Sequence, residues 1–327
     1  MKKILLIGGA GYIGTVVAKY LLDRKFGVKI YDNLIYNSNT SKKFLEKNPN
    51  IQFVNGDILE IINKKNIFDG IDTVVLLAGL VGDPITKKYP ELSLKINNNG
   101  NKLVIDTAVN VGIKNFIYIS TCSNYGLIPE NHEAAEDYPL NPISLYSKSK
   151  VETENYLLTK NINDFCPTIL RFATAFGESP RMRFDLTINE FIYEMYHNKE
   201  LLVYDPDTWR PYCHVLDFAR LIERVINSNN DLIKDKIFNA GSNKNNFTKR
   251  QIVNLISKYI TDCNIKYQTH GNDPRNYKVN FNKVRDELDF EPKYNVEENI
   301  INLIDIIKTY KSINKSEYGN YQILINE

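Results

Sequence analysis

Tyr146 and Lys150 stand four residues apart in the stretch NPISLYSKSKVETENYLL. Pro142 and Ser144 precede a helical run, so the phenol and the ammonium share one helix face, a turn apart. A nearby cation favours phenolate and lowers a pKa that starts near ~10. The pair therefore predicts an acid/base usable near neutral pH. Upstream, ISTCSNYG ends an apolar run on Thr121, Cys122 and Ser123. Either this is a strand entering an ordinary turn, or one of the three joins the chemistry.

The segment that must support such a site opens the chain. KILLIGGAGYIGTVVAKYLLDRKFGVKIYDN reads as strand, glycine turn, helix and second strand. Ile4 to Ile7 is a continuous apolar run, as expected of a parallel strand buried on both faces. From Tyr12 the apolar spacing turns helical, with Ile13, Val16, Val17, Tyr20 and Leu21 as the inward stripe. Gly8 permits the tight turn, Gly11 lets backbone approach a pyrophosphate, and Gly14 lets the helix pack close to the sheet. Asp32 ends the next strand, where it accepts from adenosine ribose hydroxyls. A carboxylate there repels a 2′-phosphate, so the expected cofactor is NAD rather than NADP. Two further strand ends fit a dinucleotide: Asp57-Ile58, and the small Leu77-Ala78-Gly79. Alternating strands and helices to about residue 175 predict an α/β fold with a Rossmann-type doubly wound parallel sheet.

Bulk properties exclude several classes. The chain has 327 residues, 41 basic against 39 acidic, for a net charge of +2. That balance gives no reason to expect nucleic acid or an anionic membrane as partner. The four cysteines lie far apart without metal-ligand spacing, so neither zinc nor a disulfide framework is expected. The opening MKKILLIGGAGYIG resembles a secretory leader only superficially, because glycines break its apolar run and no cleavage site follows. No run approaches the roughly 18 apolar residues of a membrane span. The expected location is the cytoplasm, with reduced thiols.

The set Gly8, Gly11, Gly14, Asp32, Asp57, Thr121, Tyr146 and Lys150 resembles the extended short-chain dehydrogenase/reductase family, over nearly the whole chain. The nearest relatives by this resemblance are its nucleotide-sugar epimerases and dehydratases. It implies that Tyr146 is the catalytic base, that Lys150 also holds the nicotinamide ribose, and that Thr121 hydrogen-bonds the reacting oxygen of the sugar. It implies a cofactor site built from Gly8, Gly11, Tyr12, Ile13, Gly14, Asp32, Asn33, Asp57, Ile58, Leu77, Ala78, Gly79, Asn97, Tyr146, Lys150 and Phe172. Family 4,6-dehydratases carry Asp-Glu directly after the threonine, and here Cys122 and Ser123 stand instead. GDP-fucose synthases place a cysteine two residues after the hydroxyl, where this chain has Ser123. Both chemistries are therefore disfavoured, and Cys122 is expected to pack as a small apolar residue. What is left is oxidation of a sugar hydroxyl, at C4, with hydride passing to NAD. The resemblance thus implies a 4-epimerase or C4 dehydrogenase of surface-polysaccharide sugars. The alternatives are a keto-sugar reductase, or a non-catalytic NAD-binding regulator that would need no acid/base trio. LVGDP and RFATAFGESPRMRFDLTINEF resemble a bacterial branch with dehydrogenases of GDP-heptose-type sugars. Thr174 stands where UDP-galactose 4-epimerases usually carry Asn.

The second half supplies arginines from three loops, and a nucleotide diphosphate needs such always-charged, fork-shaped donors. The expected substrate residues are Thr121, Ser123, Thr174, Arg181, Arg183, Asn189, Arg210 and Arg275. His214 is expected to order the start of a helix. Residues 1–176 form the cofactor domain, with returning segments near 213–241, and 177–327 contribute a smaller, discontinuous α/β substrate lobe. The resemblance also implies a homodimer formed through helices near 98–112 and 146–160. The segment 312–327 has weak periodicity and no assigned role.

Overall fold

The computed structural model describes every residue except 37, 161, 270–272, 312, 314–316 and 324–327. Residues 271 and 272, ahead of Arg275, and part of the C-terminal segment 312–327 singled out above lie outside the described residues. The first half runs β1 (Lys3–Ile7), α1 (Tyr12–Asp23), β2 (Gly27–Asp32), α2 (Asn39–Lys47), β3 (Gln52–Asn55) and β4 (Thr73–Leu76). There follow α3 (Asp83–Lys88), α4 (Pro90–Leu94) and α5 (Asn101–Asn110), the last two joined by a π turn. β5 (Asn115–Thr121), α6 (Leu145–Leu158) and β6 (Cys166–Phe172) complete this half. Next come β7 (Thr174–Phe176), α7 (Thr187–Tyr193), β8 (Glu200–Tyr204), β9 (Trp209–His214), α8 (Val215–Ile226), α9 (Asn230–Ile233) and β10 (Lys236–Ala240). The chain then forms β11 (Asn246–Thr248), α10 (Lys249–Ser257), β12 (Asn264–Gln268), α11 (Asn282–Leu288) and α12 (Val296–Ile307).

Seven strands form one parallel sheet in the order β10-β6-β5-β4-β1-β2-β3. The strand order reverses between β1 and β4, and such a switch point opens a crevice at the carboxyl ends of the strands. Ile4, Leu5, Leu6 and Ile7 are fully buried, as their unbroken apolar run requires. Helices cover both faces, with α1 packed on α8. This is the doubly wound α/β architecture anticipated from the alternation of elements.

The rest of the chain builds a three-stranded sheet, β11-β9-β7, and a two-stranded one, β12-β8. A second core, including Phe184, Ile188, Ile192, Leu201, Ile252 and Leu303, joins these to α7, α10 and α12. Burying each such side chain contributes about 1.5–3 kcal/mol. Tyr12 and Val16 of α1 belong to this second core, so the helix that follows the glycine turn is gripped from both sides. Tyr277, Val279, Phe281 and Leu288 pack with Leu170 and Phe238 beneath the large sheet. Among the described residues no helix is long and apolar enough to cross a membrane.

Candidate active site

A cleft lies at the carboxyl ends of β1 to β5. Gly8, Gly11, Tyr12, Ile13 and Gly14 form its floor, and Asp32, Asn33, Asp57, Ile58, Leu77, Ala78 and Gly79 line it from the next strand ends. The turn needs its glycines. Gly8 sits at φ +82°, and a Cβ there would meet the Ala78 backbone at 2.5 Å. At Gly14 a Cβ would meet the Gly9 backbone at 2.6 Å. Gly11 caps α1 without a side chain, and no acidic residue occupies the first turn. The first amides of the helix thus present uncompensated positive charge to the cleft. Asp32 accepts from the amides of Ala10 (3.0 Å) and Leu34 (2.8 Å), which fixes its carboxylate at the rim. Asn33 donates to Asp57 at 3.0 Å, tying the second and third strand ends together. An anion-seeking helix terminus beside a fixed ribose-sized acceptor fits NAD.

Tyr146 and Lys150 line the same cleft. Ser144 starts α6, accepting from the Ser147 amide at 3.2 Å while Ser147 answers to the Ser144 amide at 3.1 Å. This reciprocal cap sets the helix so that both side chains face inward. Lys150 Nζ donates to the Ile119 carbonyl at 2.7 Å and lies 4.6 Å from the Tyr118 ring centroid. It stands 5.8 Å from the centroid of Tyr146. Burial lowers Lys150 to about 7, with Glu154 opposing. The expected depression of the phenol is not what the structure gives. Burial raises the Tyr146 pKa above its usual value and outweighs the guanidinium groups of Arg183 and Arg275, while Asp83 adds to the rise. A lone ammonium, itself partly discharged by burial, does not offset the desolvation of the phenol in this cleft.

Thr121 caps the turn after β5, accepting from the Ser123 amide at 3.1 Å. Its hydroxyl also meets Ser123 Oγ at 3.1 Å. Ser123 Oγ in turn lies 3.2 Å from Tyr277 Oη and 3.3 Å from Arg275 Nη1. These hydroxyls form a continuous chain next to the cleft rather than part of its wall. Arg275 is held by Asp273 (2.7 and 2.8 Å) and by Asp83 across the lobes (2.8 Å). Arg210 donates to the same Asp273 at 3.0 Å and to the Arg275 carbonyl. Two guanidinium groups thus face two carboxylates. The other oxygen of Asp83 is buried without a hydrogen-bond partner. Cys122 is buried, donates to the Arg171 carbonyl at 3.0 Å and packs in the main core.

Several expected site residues sit elsewhere. Phe172 stacks on Phe218, centroids 3.7 Å apart, inside the core beneath the sheet. Asn97 acts on the cleft at one remove, because its amide clamps both the N–H and the carbonyl of Leu80 (2.7 and 3.0 Å). Asn189 spends its amide on the Gly177 N–H, Tyr12 Oη and the Arg183 carbonyl. Thr174 lies in β7, paired with Tyr212. Arg181 and Arg183, expected to serve the substrate, line the cleft beside the glycine turn. The cleft also takes in Tyr36, Ser38 and Ser41 from the loop and helix after β2, and Asn320 from near the C-terminus. The serines lie in the polar stretch that leads from β2 into α2. Asn320 carried no local signal.

His214 begins α8, accepting the Leu216 amide at 3.2 Å, and its ring stacks on Tyr294. Burial lowers it to about 4 from the usual 6.5, so the folded protein holds it neutral. The stability this contributes is present above the unfolded value and is lost as pH falls toward 4. Replacing His214 by Asn, which still caps, is expected to remove about 3 kcal/mol of the stability difference between pH 7 and pH 4. Urea midpoints at the two pH values check this, and parallel profiles for both proteins would refute it.

The sequence model of the NAD dependent epimerase/dehydratase family matches residues 4–241. The UDP-arabinose 4-epimerase 1 of Arabidopsis thaliana is 32% identical over 188 residues, 55% of this chain and 44% of that protein. The chain thus spans less than half the length of this plant relative. The UDP-glucose 4-epimerase of Corynebacterium glutamicum is 25% identical over 313 residues, 89% of this chain and 91% of that one. A solved UDP-glucose 4-epimerase with UDP-glucose from Thermotoga maritima superposes with a TM-score of 0.81 at 25% identity, covering 94% and 99% of the two chains. The family match runs from the first strand of the large sheet to its last, across the glycine turn and the tyrosine–lysine helix: the chain belongs to the NAD dependent epimerase/dehydratase family.

Proposed function

We propose that the protein oxidises a hydroxyl, at C4, of a nucleoside-diphosphate sugar, either to invert that carbon or to release the ketone. The observation that carries this reading is the presence of Tyr146 and Lys150 in one cleft with the glycine turn and Asp32. When bound, NAD supplies the hydride acceptor. Tyr146 Oη takes the hydroxyl proton as the carbon–hydrogen bond yields its hydride and the carbonyl forms. Lys150, with one proton committed to the Ile119 carbonyl, has its other donors for a ribose hydroxyl and for easing charge on the phenol. Ser123, Tyr277 and Thr121 offer hydroxyls to the sugar, and Arg210 and Arg275 exchange a carboxylate for its diphosphate. The curated relatives act on C4 by name, which favours that carbon. A cytoplasmic homodimer, paired through α5 and α6 and serving surface-polysaccharide synthesis, accords with the resemblance.

The test is a panel of UDP-, GDP-, dTDP- and CDP-sugars incubated with the full chain and NAD. Accumulating reduced nicotinamide marks a dehydrogenase, and sugar interconversion without net reduction marks an epimerase. A panel that yields neither, with a folded protein that binds NAD, would sink the reading.

A further inference from the structure

Arg181 differs from its neighbours. Only 3% of it is exposed, yet among the described residues no carboxylate comes within ion-pair distance. Arg183 beside it is matched by Asp185 through two hydrogen bonds of 2.8 and 2.6 Å. Arg181 has instead the Asn320 side-chain oxygen at 2.9 Å and the face of Tyr36, 4.9 Å from the ring centroid. Asp32 attracts it from a distance, but the Asp32 oxygens are engaged by Ala10 and Leu34. Burial and Arg183 push Arg181 down to about 10, still charged at neutral pH. An enclosed guanidinium with unspent donors on a cleft wall calls for an anion.

Asn320 holds this group in place. Its side-chain amide donates to the Val81 carbonyl, past the end of β4, at 3.1 Å. Its backbone N–H donates to Asp185 at 3.2 Å. One residue near the C-terminus therefore joins the wall built by the large sheet to the wall built after β7. Tyr36, under the guanidinium, accepts from the Val81 amide at 3.3 Å and closes the ring of contacts.

We propose that Arg181, braced by Asn320, is a clamp for the diphosphate of the bound dinucleotide, supplementing the amides at the α1 N-terminus. The anion class is a diphosphate, which both NAD and the sugar nucleotide carry. The cofactor is the assigned source because Arg181 shares its cleft with Gly8 to Gly14 and Asp32, whereas Arg210 and Arg275 lie outside that lining. The inference rests on the NAD reading above.

Titration calorimetry on the full chain tests it, with NAD, ADP-ribose, adenosine, UDP and GDP as probes. Arg181→Met is expected to weaken NAD and ADP-ribose at least about tenfold, the usual worth of a charge-assisted hydrogen bond. Adenosine, UDP and GDP should bind as before. Asn320→Ala should shift NAD in the same direction by a smaller factor. Melting curves without ligand show whether each variant folds, and Asn320→Ala decides if Arg181→Met does not. NAD affinity within twofold of the parent in the folded variants overturns the clamp. A loss confined to UDP and GDP reassigns Arg181 to the substrate and also overturns it. A parent protein that binds no NAD overturns the broader reading with it.

Discussion

Tyr146→Phe is expected to turn over its nucleotide sugar about 10²- to 10⁴-fold more slowly than the parent, the usual contribution of one positioned proton-transfer group. The fold should not notice. The phenol oxygen makes no hydrogen bond to another described residue, so its removal orphans no partner. NAD affinity and melting temperature should stay at the parent values while kcat collapses. This pattern separates proton transfer from packing, since a structural phenol would lose stability along with rate. Its raised pKa sharpens the expectation. Before substrate arrives burial favours the protonated phenol, so the base form that takes the sugar proton has to be drawn out within the loaded site, beside Lys150. A Phe variant with full turnover removes Tyr146 from the chemistry.

Glu154→Ala should be the most damaging change to stability, costing about 3–5 kcal/mol. Glu154 lies one turn beyond Lys150 on α6, and its carboxylate holds Arg171 of β6 through bonds of 2.7 to 3.2 Å. Both side chains are almost fully enclosed, at 2% and 4% exposure. Ser120 and Asn124, on either side of the Thr121 turn, donate to the same carboxylate. Truncating the acid strands a buried guanidinium and two further donors. Pairing it with Arg171→Met should recover part of the loss, because an apolar side chain of similar size has no charge to strand. Urea denaturation of the single and double variants decides this. A single variant within about 1 kcal/mol of the parent would show that solvent or a neighbour relieves the pair.

Legibility followed sequence distance. The glycine turn and Asp32 lie within one strand–helix–strand unit, and Tyr146 and Lys150 within one helical turn, so local spacing sufficed to place them in a common cleft. Phe172 was misplaced for a physical reason: β6 is buried on both faces, and its residue types do not say which face meets the cleft. Asn97 and Asn189 are polar groups whose partners are mostly backbone atoms, and composition does not separate such bracing from ligand contact. The Arg181–Asn320 contact spans 139 positions and leaves no local trace. Spacing likewise announced the tyrosine–lysine pair without announcing that desolvation outweighs the nearby cations, which is why the direction of the phenol shift came out reversed.

β6 has all seven residues buried and is flanked by β5 on one side and β10 on the other. Residues 173 to 235 therefore leave the ribosome before that strand acquires its second neighbour. Throughout this interval the nascent chain carries an apolar, unsealed edge of the kind that recruits other chains. Stalled nascent chains ending near residue 200 should need chaperone protection, and those long enough to carry β10 clear of the exit tunnel should not. Equal solubility of the two lengths on release would mean that a later segment shields the edge first.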